Sequence, residues 1–188
     1  MSLRRAVLAS VFVLVVAGIV VVVAPAGPAG AVPAEGTSKP ASQTAARLGI
    51  PRTYDDAMKH LDQAAGPVRS LRKFQTPSKN IYCSVAAPGV KGCEINEGSV
   101  KDPDVCSGNP VSKYVGRIEF QRGRAVAVCN TDTIRTPGAK VLAYGQVAFV
   151  ENTKYACVSE AIGVTCINTY KAEGFFLHRG EYVIFNAG

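Results

Sequence analysis

Two short segments of this chain are near-copies of each other, and each of them contains two cysteines. The first, IYCSVAAPGVKGCEIN, covers residues 81–96, and the second, YACVSEAIGVTCIN, covers residues 155–168. In each copy an aromatic residue lies near the first cysteine, and Ile-Asn follows near the second. Each copy has the length of a two-stranded hairpin, so the repeat predicts two equivalent hairpins and hints at two related halves.

The spacing of these cysteines separates three possible roles. Redox-active pairs are typically Cys-x-x-Cys, and structural zinc sites favour cysteines two to four residues apart. Here eight or nine residues lie between them. Facing positions of a hairpin bring two Cβ atoms to about 4 Å, which suits a disulfide. We therefore predict no metal or cofactor site but three structural disulfides: Cys83–Cys93, Cys157–Cys166 and, from the two cysteines that remain, Cys106–Cys129.

The start of the chain has the pattern of an export signal. Arg4 and Arg5 precede an uncharged apolar run over residues 6–24, and Ala29-Gly30-Ala31 offers a cleavage site. The run is long enough for either a signal peptide or a single-pass anchor, so both stay open for residues 1–31. In either case the rest of the chain is exported, which predicts a secreted or extracytoplasmic protein in an oxidising compartment.

The charge pattern of the chain argues against a nucleic-acid partner. The formal net charge is +7, and without Arg4 and Arg5 it is +5, from 19 basic and 14 acidic residues. The basic residues are scattered in sequence and there is no tryptophan, whereas nucleic-acid platforms combine clustered Lys and Arg with stacking aromatics. A solvated basic surface is the simplest interpretation. If it has a partner, an exported protein meets anionic lipid or wall polymer first.

Composition divides the exported part into three regions. Residues 32–52 are rich in Pro, Gly, Ser, Thr and Ala, which predicts a flexible linker. Residues 53–66 predict one short amphipathic helix that begins at Thr53 and has one apolar face, formed by Tyr54, Ala57, Met58, Leu61 and Ala65. His60 falls off that face, so we expect it to be exposed to solvent. Residues 73–188 then form the remaining domain.

That domain is predicted to be β-structure throughout. About ten short runs of β-branched and aromatic residues alternate with Gly, Pro, Asn and Asp every eight to twelve residues. Three hairpin turns are expected, at residues 121–124, 151–154 and 178–182. The fold class is therefore mainly β: a small antiparallel sandwich or barrel of disulfide-closed hairpins, preceded by one short helix and an N-terminal hydrophobic segment.

Two groups of residues are candidate chemical sites. Ser78, Asp132 and His178 could form a hydrolase triad, but no nucleophile-elbow motif surrounds any serine. The stretch CEINEGSVKDPDVC gathers several oxygen ligands but lacks the spacing of a known calcium loop, so a solvated acidic loop is expected. These ligands are Glu94, Asn96, Glu97, Asp102 and Asp104. The sequence assigns no catalytic residue.

Several motifs together resemble a group of exported actinobacterial proteins that share a cysteine-bearing domain of unknown function. The matching stretches are FQTPSKNIYC, GCEI, VLAYGQ, YACVSEAIGVTCIN and GFFLHRGEYVIF, which together span residues 74–185. The family's first motif is similar to F-x-[ST]-P-S-x-N-I-x-C, and Lys79 stands where glycine is common. The resemblance implies an exported, disulfide-bearing domain and carries over no activity.

The combined reading is a non-enzymatic binding or structural module at the cell envelope. Its partner would be a protein or an anionic envelope polymer, with a possible membrane tether through residues 6–24. Two alternatives stay open. A rigid disulfide scaffold suits an inhibitor of a secreted hydrolase, because preorganisation lowers the entropy lost on binding. A small envelope hydrolase would need a nucleophile, a base and a carboxylate within hydrogen-bond reach in one cleft.

Overall fold

The computed structural model describes residues 48–86, 88–129 and 132–186. The predicted signal or anchor and residues 32–47 of the predicted linker lie outside these ranges. Within them, no helix is long and apolar enough to cross a membrane. The elements in chain order are α1 (Tyr54–Asp62), β1 (Val68–Ser70), β2 (Lys73–Gln75), β3 (Ile81–Ser84), β4 (Gly92–Ile95), β5 (Val100–Lys101), β6 (Tyr114–Val115), β7 (Arg117–Gln121), β8 (Arg124–Val128), β9 (Lys140–Val141), β10 (Gln146–Phe149), β11 (Tyr155–Glu160), β12 (Gly163–Asn168), β13 (Glu173–His178) and β14 (Glu181–Phe185).

Two six-stranded sheets form the β-domain. Sheet A has the order β1-β10-β11-β12-β13-β14, and sheet B has the order β8-β7-β4-β3-β2-β9. Neighbouring strands are antiparallel except for the pairs β1–β10 and β2–β9, which are parallel. The expected mainly β fold with one short helix is confirmed, and of the two architectures considered it is a sandwich. The strands β1, β5, β6 and β9 were not predicted.

The first strand of each half of the domain joins the sheet that the other half builds. Strand β1 precedes β2 in the chain but lies at the edge of sheet A, and β9 precedes β10 but lies at the edge of sheet B. The two halves therefore have equivalent topology and exchange their first strands. The repeated hairpins β3–β4 and β11–β12 occupy equivalent places in the two halves, which confirms the sequence repeat.

The two repeated disulfides lie back to back in the core between the sheets. Cys83 is directly opposite Cys93 in sheet B, and Cys157 is directly opposite Cys166 in sheet A, with Cα–Cα distances of 4.1 Å in both pairs. The Sγ atoms of Cys93 and Cys166 approach to 3.5 Å across the interface. Three sulfur atoms cluster here, but all belong to disulfides and none is a thiolate that could bind a metal.

The third disulfide joins Cys106, in the connection between β5 and β6, to Cys129 after β8, with a Cα–Cα distance of 5.7 Å. All three predicted pairings are therefore confirmed, and no cysteine is free. Disulfides persist in oxidising compartments, so the protein belongs outside the cytoplasm. In the chain-entropy view, each of these loops contributes about 3 kcal/mol to stability.

Apolar side chains fill the remaining space between the sheets. The Phe120 ring of sheet B packs against the Phe175 ring of sheet A at a centroid distance of 5.2 Å. Packing leaves no room for a side chain at Gly92, because a Cβ there would approach the Ile118 carbonyl oxygen to 2.1 Å. The fully buried members of the core include Phe74, Val85, Val115, Ile118, Leu142, Val164, Phe175 and Leu177.

Each sheet also has its outer face covered by the segment that precedes the exchanged strand. Helix α1 precedes β1 and covers sheet A, where Ala57 is fully buried against a second apolar cluster that contains Val158 and Phe176. The segment before β9 contacts sheet B, where Thr133 Oγ1 and the Ile134 N–H donate hydrogen bonds to the Glu94 carboxylate. The equivalence of the two halves therefore extends to their coverings.

Local signals explain the bounds of the helix and the conformation of one turn of sheet B. The Asp56 N–H donates to Thr53 Oγ1 at 3.1 Å, so Thr53 is the N-cap, as predicted. The helix ends at Asp62, four residues before residue 66, where the sequence predicts its end. In the β2–β3 turn, Lys79 has a φ of 58°, in the left-handed region that favours glycine.

Candidate functional site

Four exposed basic side chains meet where the chain crosses from sheet A to sheet B. Arg69 lies on β1, Arg72 lies in the short connection that follows, and Lys73 begins β2. The parallel pairing of β9 with β2 places Lys140 opposite Phe74, next to this group. The sequence predicts only scattered surface charge for these residues, because Lys140 joins the others through a non-local strand pair.

These side chains line two adjoining hollows, which we call the basic groove. The hollows have volumes of about 410 and 290 Å³ and share Ser70, Leu71 and Lys140. Residues 136–139 form one wall, and Val141 lines the smaller hollow. Among the residues that the structure describes, no carboxylate lines either hollow. Since β1 and β9 are the outermost strands of their sheets, the basic groove follows two sheet edges.

The cations of the basic groove are not neutralised by the fold. Among the described residues, none of the four takes part in an ion pair. The Lys73 ammonium donates a hydrogen bond to Thr136 Oγ1 at 3.3 Å, which fixes its position without removing its charge. The groove therefore has an uncompensated positive potential that attracts anionic groups.

A second depression, which we call the end cleft, lies where turns of both sheets meet. It has a volume of about 300 Å³. The β2–β3 turn contributes Ser78 and Asn80, the segment after β4 contributes Glu97, and the β13–β14 turn contributes His178 and Arg179. Tyr144 and Glu160 complete its polar lining. Most of the stretches that carry the family resemblance contribute residues to this cleft.

The hydrolase triad considered from the sequence is only partly brought together. Ser78 and His178 line the same cleft, whereas the Asp132 carboxylate lies 3.1 Å from the Arg117 guanidinium on the outer face of sheet B. Ser78 Oγ is already engaged in the β2–β3 turn, where it lies 3.0 Å from Thr76 Oγ1 and accepts from the Asn80 N–H. This arrangement makes Ser78 a turn-stabilising residue.

The acidic stretch after β3 is distributed over three places rather than one loop. Glu94 is only 5% exposed and lies among Thr133, Ile134 and Arg117, so the expectation of a solvated carboxylate is wrong for it. Glu97 faces the end cleft. Asp104 and Asn96 are exposed to solvent. A single calcium loop is therefore not assembled from these residues.

Asp102, the remaining carboxylate, anchors the loop that contains Cys106 to sheet A. It accepts a hydrogen bond from the Tyr182 hydroxyl of β14 and another from the Val105 N–H. The hydrogen bond from Tyr182, together with that of Val105, lowers the pKa of Asp102. Burial of the Tyr182 ring and its bond to Asp102 raise the pKa of the tyrosine. Asp102 therefore has a structural role.

His60 is buried, and the prediction that it faces solvent is wrong. Its side chain is 2% exposed, and its Nδ1 lies 2.8 Å from Glu160 Oε2. The face that packs on sheet A includes Ala57, as predicted, and extends to His60, and these are the two buried residues of the helix. This contact links the helix to a carboxylate of the end cleft.

Comparisons with known proteins give no further guide to the activity of either site. No family model, curated protein or solved structure matches the chain. The family resemblance therefore stays a prediction, and the chemistry of the basic groove and the end cleft has to be derived from their residues.

Proposed function

We propose that this protein is an exported binding module of the cell envelope and that it holds an anionic envelope polymer in the basic groove. The observation that carries this proposal is the meeting of Arg69, Arg72, Lys73 and Lys140 along two sheet edges without any lining carboxylate. Three disulfides support an oxidising compartment, and the N-terminal hydrophobic segment supplies export or a tether.

The arrangement of the groove suits a linear polymer. Ser70 and Leu71 line both hollows, so a chain of phosphate or carboxylate groups can contact the two hollows in succession. The edge strands β1 and β9 also leave backbone groups on their outer sides for polar groups of a bound chain. Binding of this kind is electrostatic, so it weakens as salt rises.

The experiment compares binding of four probes by the full-length protein: polyphosphate, poly-L-glutamate, uncharged dextran and vesicles that contain phosphatidylglycerol. We expect both polyanions to bind, dextran not to bind, and vesicles to bind more weakly than the polyanions. Raising the salt concentration should weaken both polyanion complexes, because the attraction between exposed charges is screened.

Charge-matched variants locate the binding site. Changing Arg69, Arg72, Lys73 and Lys140 to Gln should weaken polyanion binding by about tenfold or more, since each exposed ion pair contributes roughly 0.2–1 kcal/mol. The control changes four exposed cations elsewhere to Gln, with the same loss of net charge: Lys101, Lys113, Arg122 and Lys171. Equal losses in both variants would show nonspecific attraction and contradict the proposal.

The two alternative functions predict other results in assays of the same protein and its variants. A hydrolase would turn over ester or amide substrates and lose that activity in Ser78→Ala or His178→Ala, the two triad candidates that line one cleft. An inhibitor would lower the activity of a secreted hydrolase without binding either polyanion. The described lining of the basic groove gives no support to a hydrolase there, because the Ser70 and Thr136 hydroxyls have neither a histidine nor a carboxylate beside them in the lining.

A further inference from the structure

The end cleft is lined by opposite charges, and the fold holds the main chain beside them. Asn80 clamps the main chain of Glu97 from both sides: its Oδ1 accepts from the Glu97 N–H at 2.7 Å, and its Nδ2 donates to the Glu97 carbonyl at 3.1 Å. Gly98, with a φ of 84°, packs directly against Arg179, and a Cβ at this position would lie 2.7 Å from Arg179 Cγ. These contacts fix the main chain at Glu97 and place it beside Arg179, and both residues line the cleft.

The Glu160 carboxylate is positioned by a direct side-chain contact from helix α1. The buried His60 ring of helix α1 holds its Oε2 at 2.8 Å, and the side chain stays 23% exposed. The cleft therefore combines two carboxylates with one guanidinium and the His178 imidazole, in contrast to the basic groove, which contains only cations. Tyr144, 45% exposed, supplies an aromatic ring at its wall.

The opposite charges of the cleft do not neutralise each other. In the part of the chain that the structure describes, neither Arg179 nor Glu97 takes part in an ion pair, although both line the same cleft. Separated charges of opposite sign that a fold keeps unpaired are complementary to a ligand that carries both signs. The volume of about 300 Å³ is at the small end of ligand pockets, roughly 300–1,000 Å³, so the ligand is small.

We propose that the end cleft is a binding site for a small zwitterion of the amino-acid class, a dipeptide with both ends free. Arg179 recognises the carboxylate, and Glu97 recognises the ammonium group. Glu160 adds to the negative side, and the Tyr144 ring packs against the aliphatic part of the ligand. This site is separate from the basic groove and does not depend on polymer binding.

The test measures binding of dialanine, of either chirality, to the full-length protein by calorimetry, beside dialanine with a blocked end. We expect the dipeptide with free ends to bind, and N-acetyl-dialanine and dialanine amide each to bind about tenfold more weakly or worse, since each lacks one charge. Equal binding of free and blocked forms would overturn the proposal, and so would the absence of binding by the free dipeptide.

Variants assign each end of the ligand to a residue. Arg179→Gln should weaken the free dipeptide and N-acetyl-dialanine but leave the amide unchanged, because the amide has no carboxylate to lose. Glu97→Gln should weaken the free dipeptide and the amide but leave the N-acetyl form unchanged. Two exposed turn residues, changed as Arg122→Gln and Glu151→Gln, are the matched controls and should have no effect. Effects of the controls equal to those of the cleft variants would overturn the assignment.

The groove variant separates this site from the proposed function. The protein with Arg69, Arg72, Lys73 and Lys140 changed to Gln should bind dialanine like the unchanged protein. If polyanion binding fails in every form while dialanine still binds, the basic groove proposal is wrong and the end cleft stands. An unchanged thermal midpoint for Arg179→Gln and Glu97→Gln shows that the losses do not come from unfolding.

Discussion

The hydrogen bond between Tyr182 and Asp102 joins two parts of the chain that no disulfide connects. Asp102 precedes Cys106 in the loop held by the third disulfide, and Tyr182 lies on the outermost strand of sheet A. The bond lowers the pKa of Asp102, so it favours the folded state most when the carboxyl is ionised. That contribution is present above the unfolded pKa of roughly 4 and is lost as the pH falls through the lower folded value.

Removing the Tyr182 hydroxyl should therefore raise the pKa of Asp102. In Tyr182→Phe we expect it to move up towards the ordinary value of about 3.9, while the Val105 N–H still holds it somewhat below. A carboxyl-carbon NMR titration measures the shift directly. The control is Tyr170→Phe, at a residue that is 72% exposed. An unchanged Asp102 pKa in Tyr182→Phe would show that the loop geometry, and not this bond, sets it.

The burial of two polar residues, His60 and Glu94, could not be predicted from local sequence patterns. His60 was assigned to the solvent side because it falls outside the stripe of Tyr54, Met58 and Leu61. Its burial follows from a partner 100 residues away, Glu160, which no local pattern contains. Glu94 was misjudged for the same reason, because the segment at Thr133 folds over it from a distant part of the chain. Buried polar groups need such partners, and sequence periodicity does not reveal them.

Helix α1 is held on sheet A by few but well-buried contacts. Ala57 is fully buried, and the apolar cluster beneath it contains Val158, Ile167 and Phe176. A helix of nine residues is too short to be stable in water without such packing. Its presence therefore depends on the small side chain at Ala57 and on the contact between His60 and Glu160.

A lysine at Ala57 should release the helix without unfolding the sandwich. In Ala57→Lys we expect amide hydrogen exchange at residues 54–62 to become fast while strands β11–β13 stay protected, with a loss of about 2 kcal/mol or more in the free energy of unfolding. Gln63→Lys introduces the same charge at the exposed C-cap and should leave exchange unchanged. Continued protection of the helix in Ala57→Lys would contradict this account of its docking.

Some of the strands can be predicted from the sequence and others cannot. The ten that were predicted carry β-branched or aromatic residues, and each pairs with at least one neighbour through a short connection, so their signals are local. Strands β1 and β9 have three and two residues and pair in parallel with strands far away in sequence. Their sequence contains no alternation to detect. The disulfides could be predicted because Cys83–Cys93 and Cys157–Cys166 belong to local hairpins.

Exchange of β1 and β9 between the sheets explains how the basic groove forms and why the two halves make one domain. Lys140 reaches Arg69, Arg72 and Lys73 only because β9 adds to the edge of sheet B. The groove was therefore beyond prediction from sequence, although each of its cations was visible there. The same exchange means that each half completes the other's sheet and covers its outer face.

The two halves should consequently remain associated after the chain is cut between them. Gly138 lies in an exposed stretch with free space around it, so a protease site can be inserted after it, between residues 132–138 and β9. All three disulfides lie within one half or the other. The cut protein should separate into two fragments in detergent without reductant but elute as one species under native conditions.

Cutting the chain should also change the molecularity of unfolding, because the intact chain unfolds as one molecule whereas the cut protein unfolds into two. The denaturation midpoint of the cut protein should rise with protein concentration, whereas that of the intact protein should not. Fragments that elute separately under native conditions would mean that each half closes its own sheet. Since β1 pairs with β10 and β9 pairs with β2, each fragment alone would leave a sheet edge unpaired, and the C-terminal fragment would also leave the outer face of sheet A uncovered.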